Sequence, residues 1–217
     1  MVHCANRMRM RKKRIVIVED NKFMSRCLGK LLERCLPVKV AGYADDGEAG
    51  FTLCMKTCPD LALIDVKMPK MDGLSLVEKL FQKIPQTRFI VISGCVDPCS
   101  IWRTTQYGIH GFILKTESIN TLLMGVQMVL NNGIFFSPAF EGIKNKLLSD
   151  PESFHKILGR REQEVLLHFA GGCDDEQIGM KLGITGGTVG LHRKNMRKKL
   201  DLHNDRELMG YAKKWGF

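Results

Sequence analysis

The 217-residue chain lacks any apolar run approaching the roughly 18 residues that a membrane-crossing helix requires, which excludes a helical membrane protein. Its eight cysteines include no C-x-x-C pair, so neither a zinc-ribbon pattern nor a thioredoxin-like redox motif is present. Prolines are few, at seven, and no low-complexity tract, internal repeat or coiled-coil heptad interrupts the sequence, which excludes fibrous and largely disordered classes. Acidic residues are absent from Met1–Arg14, where six basic residues stand. That basic start runs straight into a buried-strand pattern, without a separate apolar region or small-residue cleavage site, so it reads as no secretory signal and the expected location is the cytoplasm. What is present is 44% hydrophobic and 26% charged residues, enough to build a buried core, in a length suited to two domains.

The formal charge is +10, and its distribution matters more than its size. Ile15–Ile157 carries sixteen basic residues against fifteen acidic, whereas Leu158–Phe217 carries eleven against eight. The middle is nearly neutral and both ends are basic, which points to a polyanionic partner for one end. Cys54 with Cys58, and Cys95 with Cys99, stand four apart without histidine neighbours, so the cysteines are expected to be reduced thiols, mostly buried.

From Arg14 onward, short apolar runs alternate with segments of helical period. Ile15–Val18, Val38–Ala41, Leu61–Ile64, Phe89–Ile92 and Gly111–Leu114 read as strands, each followed by a helix-sized stretch. Nearly continuous apolar strands separated by helices predict an α/β doubly wound, five-stranded parallel sheet covered on both faces. Apolar stripes are expected at Phe23, Cys27, Leu31 and Leu32 in the first helix, and at Leu122, Val126, Val129 and Leu130 in the last. Beyond Gly133 the alternation stops. The boundaries expected are a basic extension over 1–13, an α/β domain over 14–134, a linker with about one helical turn over 135–157, and an all-α domain over 158–217. The last comprises four short helices, Arg161–Ala170, Asp175–Leu182, Gly186–Leu200 and Asp205–Trp215.

In an open parallel sheet, ligands gather at the carboxyl ends of strands near the point where strand order reverses. Glu19 and Asp20 close the first strand, Asp65 the third and Ser93 the fourth, and Lys115 follows the fifth. Three converging carboxylates repel one another, and a hard divalent cation with oxygen ligands, Mg2+, resolves the repulsion. Asp65 beside such a cation becomes a nucleophile toward phosphorus, with Lys115 pairing to the phosphoryl oxygens and the Ser93 hydroxyl donating to one of them. Asp72 reads as a helix N-cap, Gly73 as a turn residue, and Pro69 as a constraint on the loop after Asp65.

The run D-V-K-M-P-K-M-D-G from Asp65 to Gly73, with E-D at 19 and 20, V-I-S ending at Ser93 and G-F-I-L-K ending at Lys115, resembles the receiver domain of two-component response regulators, a flavodoxin-like fold. The resemblance implies that Asp65 accepts a phosphoryl group from a sensor histidine kinase or phosphotransfer protein. It implies that Glu19, Asp20, Asp65 and the backbone carbonyl of Lys67 hold Mg2+, and that Ser93 and Phe112 are switch residues. Phe112 stands where tyrosine is more frequent.

In the last domain, Asp174 and Gln177 form a capping-box pattern and Thr185 suits a cap for the next helix. Val189, Met196 and Leu200 share one face with the stem of Arg193. From Arg193 to Leu200 there are five basic residues and no acid. A basic helix with a small, neutral start suits a recognition helix in the DNA major groove. The segments L-G-R-R-E-Q-E-V-L from Leu158, A-G-G-C-D-D-E-Q-I-G from Ala170, I-T-G-G-T-V-G-L-H from Ile184 and N-M-R-K-K-L from Asn195 resemble the helix-turn-helix output domain of NarL/FixJ (LuxR-type) regulators. That implies contacts to double-stranded DNA from Thr188, Leu191, His192, Lys194 and Lys198, and a homodimer in the active state paired through Asp205–Trp215. Gly179 stands where alanine is usual and Gly190 where lysine is usual, while Gly186, Gly187 and Gly190 together weaken the helix start.

Three functions follow from these residues. The first is a phosphorylation-dependent transcription regulator. The second is a phosphorylation-independent regulator binding DNA or protein, its switch vestigial, which flat salt dependence would mark as a protein binder. The third is a Mg2+-dependent phosphohydrolase, disfavoured because Lys67 occupies the place where a second carboxylic acid would be needed.

Overall fold

In a computed structural model of the chain, residues 11–94, 96–150 and 153–217 are described. The basic extension therefore lies almost wholly outside the described residues, as do Cys95 and Pro151. Contacts divide the chain into two units. One holds the described residues up to Gly94 together with Tyr107–Phe140, and the other holds Val96–Gln106 with Glu141–Phe217.

The first unit is built on strands β1 (Lys13–Val18), β2 (Val38–Ala44), β3 (Leu61–Asp65), β4 (Arg88–Ser93), β5 (Gly111–Leu114) and β6 (Phe135–Phe136). They form one parallel sheet in the order β2-β1-β3-β4-β5-β6, so the strand order reverses between β1 and β3. Six strands replace the five expected. A two-residue pair of phenylalanines is too short for a period-2 signal, and its pairing is fixed by backbone bonds, Phe135 N–H to the His110 carbonyl and Ser137 N–H to that of Phe112.

Ile15–Val18, Leu61–Ile64 and Phe89–Ile92 are all buried, as continuous apolar runs between covering helices must be. Those helices are α1 (Lys22–Cys35), α2 (Gly47–Thr57), α3 (Gly73–Phe81) and α5 (Ile119–Leu130); α4 (Pro98–Gln106) belongs by its contacts to the second unit. Asn21, Asp46, Asp72 and Ser118 cap their starts, each side chain accepting from a backbone N–H of the first turn. Val126 and Val129 of α5 enter the core with Leu122 and Leu130 half-buried against it, as expected.

The stripe expected in α1 holds at Leu32, which is buried, and at Leu31, which is half-buried, and is corrected at its first two positions: Phe23 is 80% exposed and Cys27 is exposed, while Ser25 and Gly29 face inward with Leu32. Small residues carry that face because Gly29 lies directly against the Tyr43 ring, where a larger side chain has no room. The expectation of mostly buried cysteines is also corrected. Cys54 and Cys99 are buried and Cys173 is half-buried, whereas Cys27, Cys35 and Cys58 are exposed. All six are free thiols, and burial pushes Cys54 up to about 12.

The second unit is helical: α4, most of α6 (Pro138–Ser149), then α7 (Phe154–Ile157), α8 (Arg160–Ala170), α9 (Asp175–Leu182), α10 (Gly186–Lys199) and α11 (Asp205–Lys214). The region expected to hold one helical turn contains the three-turn α6. Phe140, Leu147 and Phe154 are buried there, so tertiary contacts rather than a regular apolar period order it. In the last four helices Val165, Leu166, Ile178, Val189, Met196, Leu208 and Ala212 form the core. The Asp174–Gln177 capping box is present, Thr185 caps α10, and Gly183 turns the chain between α9 and α10 in the left-handed region at φ 68°.

Candidate functional site

Strand register brings the polar residues of the first unit into a row. Val18 lies opposite Ile64, so Glu19 and Asp65 follow on adjacent strands. Asp65 lies opposite Ile92, directly before Ser93, and Ser93 lies opposite Leu114, directly before Lys115. Neighbouring strands are about 4.8 Å apart, so residues at matched heights meet above the sheet. Carboxylate oxygens of Glu19, Asp20 and Asp65 lie within 4.8 Å of one another. Lys115 Nζ is 2.8 Å from Glu19 Oε2 and 3.0 Å from Asp65 Oδ2.

Burial pushes the Glu19 carboxyl above its ordinary value; the bond from Lys115 opposes this, and the charge of Asp65 adds to it. Burial acts against the Lys115 ammonium, but its bonds to Glu19 and Asp65 outweigh that and raise its value. Glu19 and Asp65 are buried, Asp20 is exposed, and the pocket opens to solvent on the Asp20 side. Three carboxylates and one ammonium leave two formal negative charges in a small volume lined by oxygen donors, a donor set that fits a hard divalent cation.

The loop after β3 is tightly held. Asp72 Oδ1 accepts from the Leu74 and Ser75 N–H groups at 3.0 Å each. Gly73 N–H donates to the Val66 carbonyl at 2.9 Å, and a Cβ at Gly73 would run into the Asp65 carbonyl oxygen. Glycine there lets the start of α3 approach the Asp65 backbone. Lys67, in the same loop, is exposed. Ser93 is 1% exposed, and its carbonyl accepts from Lys115 N–H at 2.7 Å, so the two residues share one backbone link. Phe112 is fully buried and stacks on Phe140, centroids 4.5 Å apart, and Phe140 stacks in turn on Phe136 at 5.2 Å.

On α10, Leu191 is 56% exposed, Lys194 and Lys198 are exposed, and Thr188 and His192 are half-buried. Lys194 and Lys198 make no ion pair among the described residues. The other three cations are engaged: Lys199 with the buried Glu162 at 2.7 Å, Arg197 with Asp205 at 3.2 Å, and Arg193 with both Asp175 and Asp205. The Arg193 guanidinium also lies over the Phe169 ring, 4.8 Å from its centroid. Sequence reasoning missed this framework. Arg193 ties the start of α9 to the start of α11 and thereby sets the orientation of α10 within the unit. Its visible signal was an acid in the first turn of each flanking helix.

Family comparison accounts for both halves. The family model for the response regulator receiver domain matches residues 15–127, more than half of the chain. The chain belongs to the response regulators. The luxR family of bacterial regulatory proteins matches residues 156–212 of the same response regulator. The transcriptional regulatory protein MctR of Rhizobium johnstonii is 28% identical over 202 residues, covering 93% of each chain. LiaR of Bacillus subtilis, also a transcriptional regulatory protein, is 26% identical over 202 residues, covering 92% of this chain and 96% of its own. Among solved structures, RcsB of Salmonella enterica serovar Typhimurium, bound to the rprA promoter with the phosphomimetic BeF3-, superposes with TM-score 0.67 at 23% identity, covering 93% of this chain and 98% of RcsB. The signal receiver domain of NarL from Mycobacterium tuberculosis matches with TM-score 0.52 at 30% identity, over 55% of this chain and 97% of that one. This response regulator thus joins a flavodoxin-like receiver to a LuxR-type DNA-binding domain, a family that regulates transcription. Among the described residues no helix is long and apolar enough to cross a membrane.

Proposed function

We propose that the chain is a cytoplasmic, phosphorylation-controlled transcription regulator in which Asp65 takes a phosphoryl group from the phosphohistidine of a sensor kinase or phosphotransfer protein. The phosphorus–nitrogen bond breaks as an Asp65 carboxylate oxygen forms the new bond to phosphorus. Lys115, already 3.0 Å from Asp65, pairs with the transferred oxygens, and the Ser93 hydroxyl donates to one of them. Glu19, Asp20, Asp65 and the Lys67 carbonyl would hold Mg2+, whose charge offsets that of the phosphoryl group. Ser93 and Phe112 respond as switch residues. A homodimer paired through Asp205–Trp215 then presents two copies of α10 to double-stranded DNA. Thr188 and Leu191 lie toward base edges, Lys194 and Lys198 toward phosphates, and His192 stands on the same DNA-facing side.

In domain terms, 14–134 is the receiver, 135–157 the linker and 158–217 the DNA-binding domain, with 1–13 as an extension. Turnover of external phosphoesters is not part of this function, since Lys67 supplies no acid two residues beyond Asp65. The observation that carries the reading is Lys115 bridging Glu19 and Asp65 inside the three-carboxylate cluster. It is tested by treating the full chain with a small phosphodonor and Mg2+. Intact mass should show one added phosphoryl group, lost in Asp65→Asn, and operator affinity should rise only in the wild type. An unmodified Asp65, or equal affinity before and after modification, refutes it.

A further inference from the structure

Three acids stand at the start of α9, and the structure puts them to different uses. Asp174 is the N-cap, its carboxylate accepting from the Gln177 N–H at 2.8 Å. Asp175 is held by Arg193. Glu176 is exposed, and its carboxylate makes no hydrogen bond or ion pair among the described residues. It lies instead over the start of α10, where a Cβ at Gly186 would run into it. An acid in the first turn suits the dipole of α9, which explains a carboxylate on that helix but not its place against the next one.

Gly186, Gly190, Lys194 and Lys198 follow at four-residue spacing and so form one line along α10. The later half of that line carries two exposed lysines, and the first half carries no side chain at all. Gly187, exposed beside it, adds none, and a Cβ there would meet only Thr185 Oγ1 at 3.9 Å. The first turn of α10 therefore has, in place of side chains of its own on this line, a carboxylate supplied by α9. In the major groove the start of a recognition helix meets base edges and its later turns meet phosphates. A carboxylate is repelled by phosphate and finds a partner on a base edge only where an N–H points outward. Cytosine presents its N4 amino group, adenine sets N6 beside the N7 acceptor, and guanine and thymine present acceptor oxygens.

We propose that Glu176, a residue of α9 and not of the recognition helix, reads the DNA sequence directly, its carboxylate accepting from the N4 amino group of one cytosine. This readout rests on the function proposed above, in which the start of α10 faces base edges. Glycine at 186 gives the carboxylate its seat on α10, and Asp175, held by Arg193, is not available for the same task.

The test selects duplexes from a randomised DNA library with the full-length protein in beryllofluoride and Mg2+. Affinities for the selected duplex and its single-base variants are then measured by fluorescence anisotropy at fixed salt. One position should require cytosine, and the other bases there should weaken the wild type by about 5- to 150-fold. Glu176→Ala should bind all four bases equally at that position while keeping its preferences elsewhere. Glu176→Gln, whose amide matches adenine N6 and N7, should move the preference there from cytosine to adenine. A carboxylate that only stabilises α9 would leave base preference unmoved in both variants. If the wild type selects a sequence and Glu176→Ala keeps every preference, the readout is wrong and the DNA-binding function stands. If the wild type selects no sequence, that function fails and the readout falls with it.

Discussion

Four glycines around the helix-turn-helix give a signed prediction within one small region. A Cβ at Gly187 would meet nothing nearer than Thr185 Oγ1 at 3.9 Å, and one at Gly190 only Asp175 Oδ2 at 3.4 Å, both ordinary contacts. Each glycine lies inside α10, where glycine is less favourable than alanine by ~0.5–1 kcal/mol. Gly187→Ala and Gly190→Ala share no packing partner, so the double variant should gain ~1–2 kcal/mol. For a cooperative unit of about 90 residues, such as the one that holds α10, ~4–8 °C per kcal/mol gives a rise in melting temperature of about 4–16 °C. Gly179 is the opposite case. A Cβ there would stand 2.6 Å from the Ile184 carbonyl oxygen, and the turn between α9 and α10 must move to admit it. Gly179→Ala should therefore destabilise, by ~1–3 kcal/mol, in the manner of an overpacked site. Gly186→Ala falls between them, because it meets the movable carboxylate of Glu176. Thermal and urea unfolding followed by circular dichroism measure all four. A double variant at positions 187 and 190 that melts at or below the wild type, or a Gly179→Ala that melts above it, refutes the packing argument.

Three further predictions concern other parts of the molecule. Burial, with the charge of Arg88 adding to it, lowers His110 to about 4, and its Nδ1 accepts from the Phe89 N–H at 3.2 Å. The fold therefore favours the neutral ring: its contribution is full above the unfolded value near 6.5 and is lost as pH falls toward 4. His110→Asn should flatten the stability profile across that window relative to the wild type. Lys194→Ala and Lys198→Ala should each lower the magnitude of the slope of log affinity against log salt by about 1, measured on a DNA site by fluorescence anisotropy; an unchanged slope removes that lysine from the phosphate contacts. Gly73→Ala should displace the Asp65 backbone and cut the rate of phosphodonor modification while leaving DNA affinity of the unmodified chain intact. A normal modification rate would show that the close approach is not needed.

The strands were legible because a sheet covered on both faces demands unbroken apolar runs, and Leu61–Ile64 and Phe89–Ile92 are buried throughout. The pocket was legible because matched register projects Glu19, Asp65, Ser93 and Lys115 from consecutive strand ends, and a chain-order motif is enough to find them. The caps at Asp72, Asp174 and Thr185 could be read from side chains that act locally. What could not be read depends on partners far away in sequence. Phe23 and Cys27 have helical spacing but face outward, because close contact of Gly29 with Tyr43 sets the rotation of α1. Strand β6 is two residues long and owes its existence to β5. The Arg193 framework joins acids eighteen positions before and twelve after it; an acid in the first turn of each flanking helix was its local trace, and nothing local told which cation would pair with them.

The placement of α4 also bears on how the protein is made. Trp102 emerges from the ribosome 113 residues ahead of Trp215, a delay of roughly 6–23 s at synthesis rates of about 5–20 residues per second. Early in that interval β5 and β6 complete the receiver sheet, Phe154 follows, and Phe217, the second ring against Trp102, comes only at its end. The nascent chain therefore carries a temporarily bare indole in its midst. A fragment cut at the end of the receiver keeps it bare permanently, and should be more prone to self-association than the intact protein.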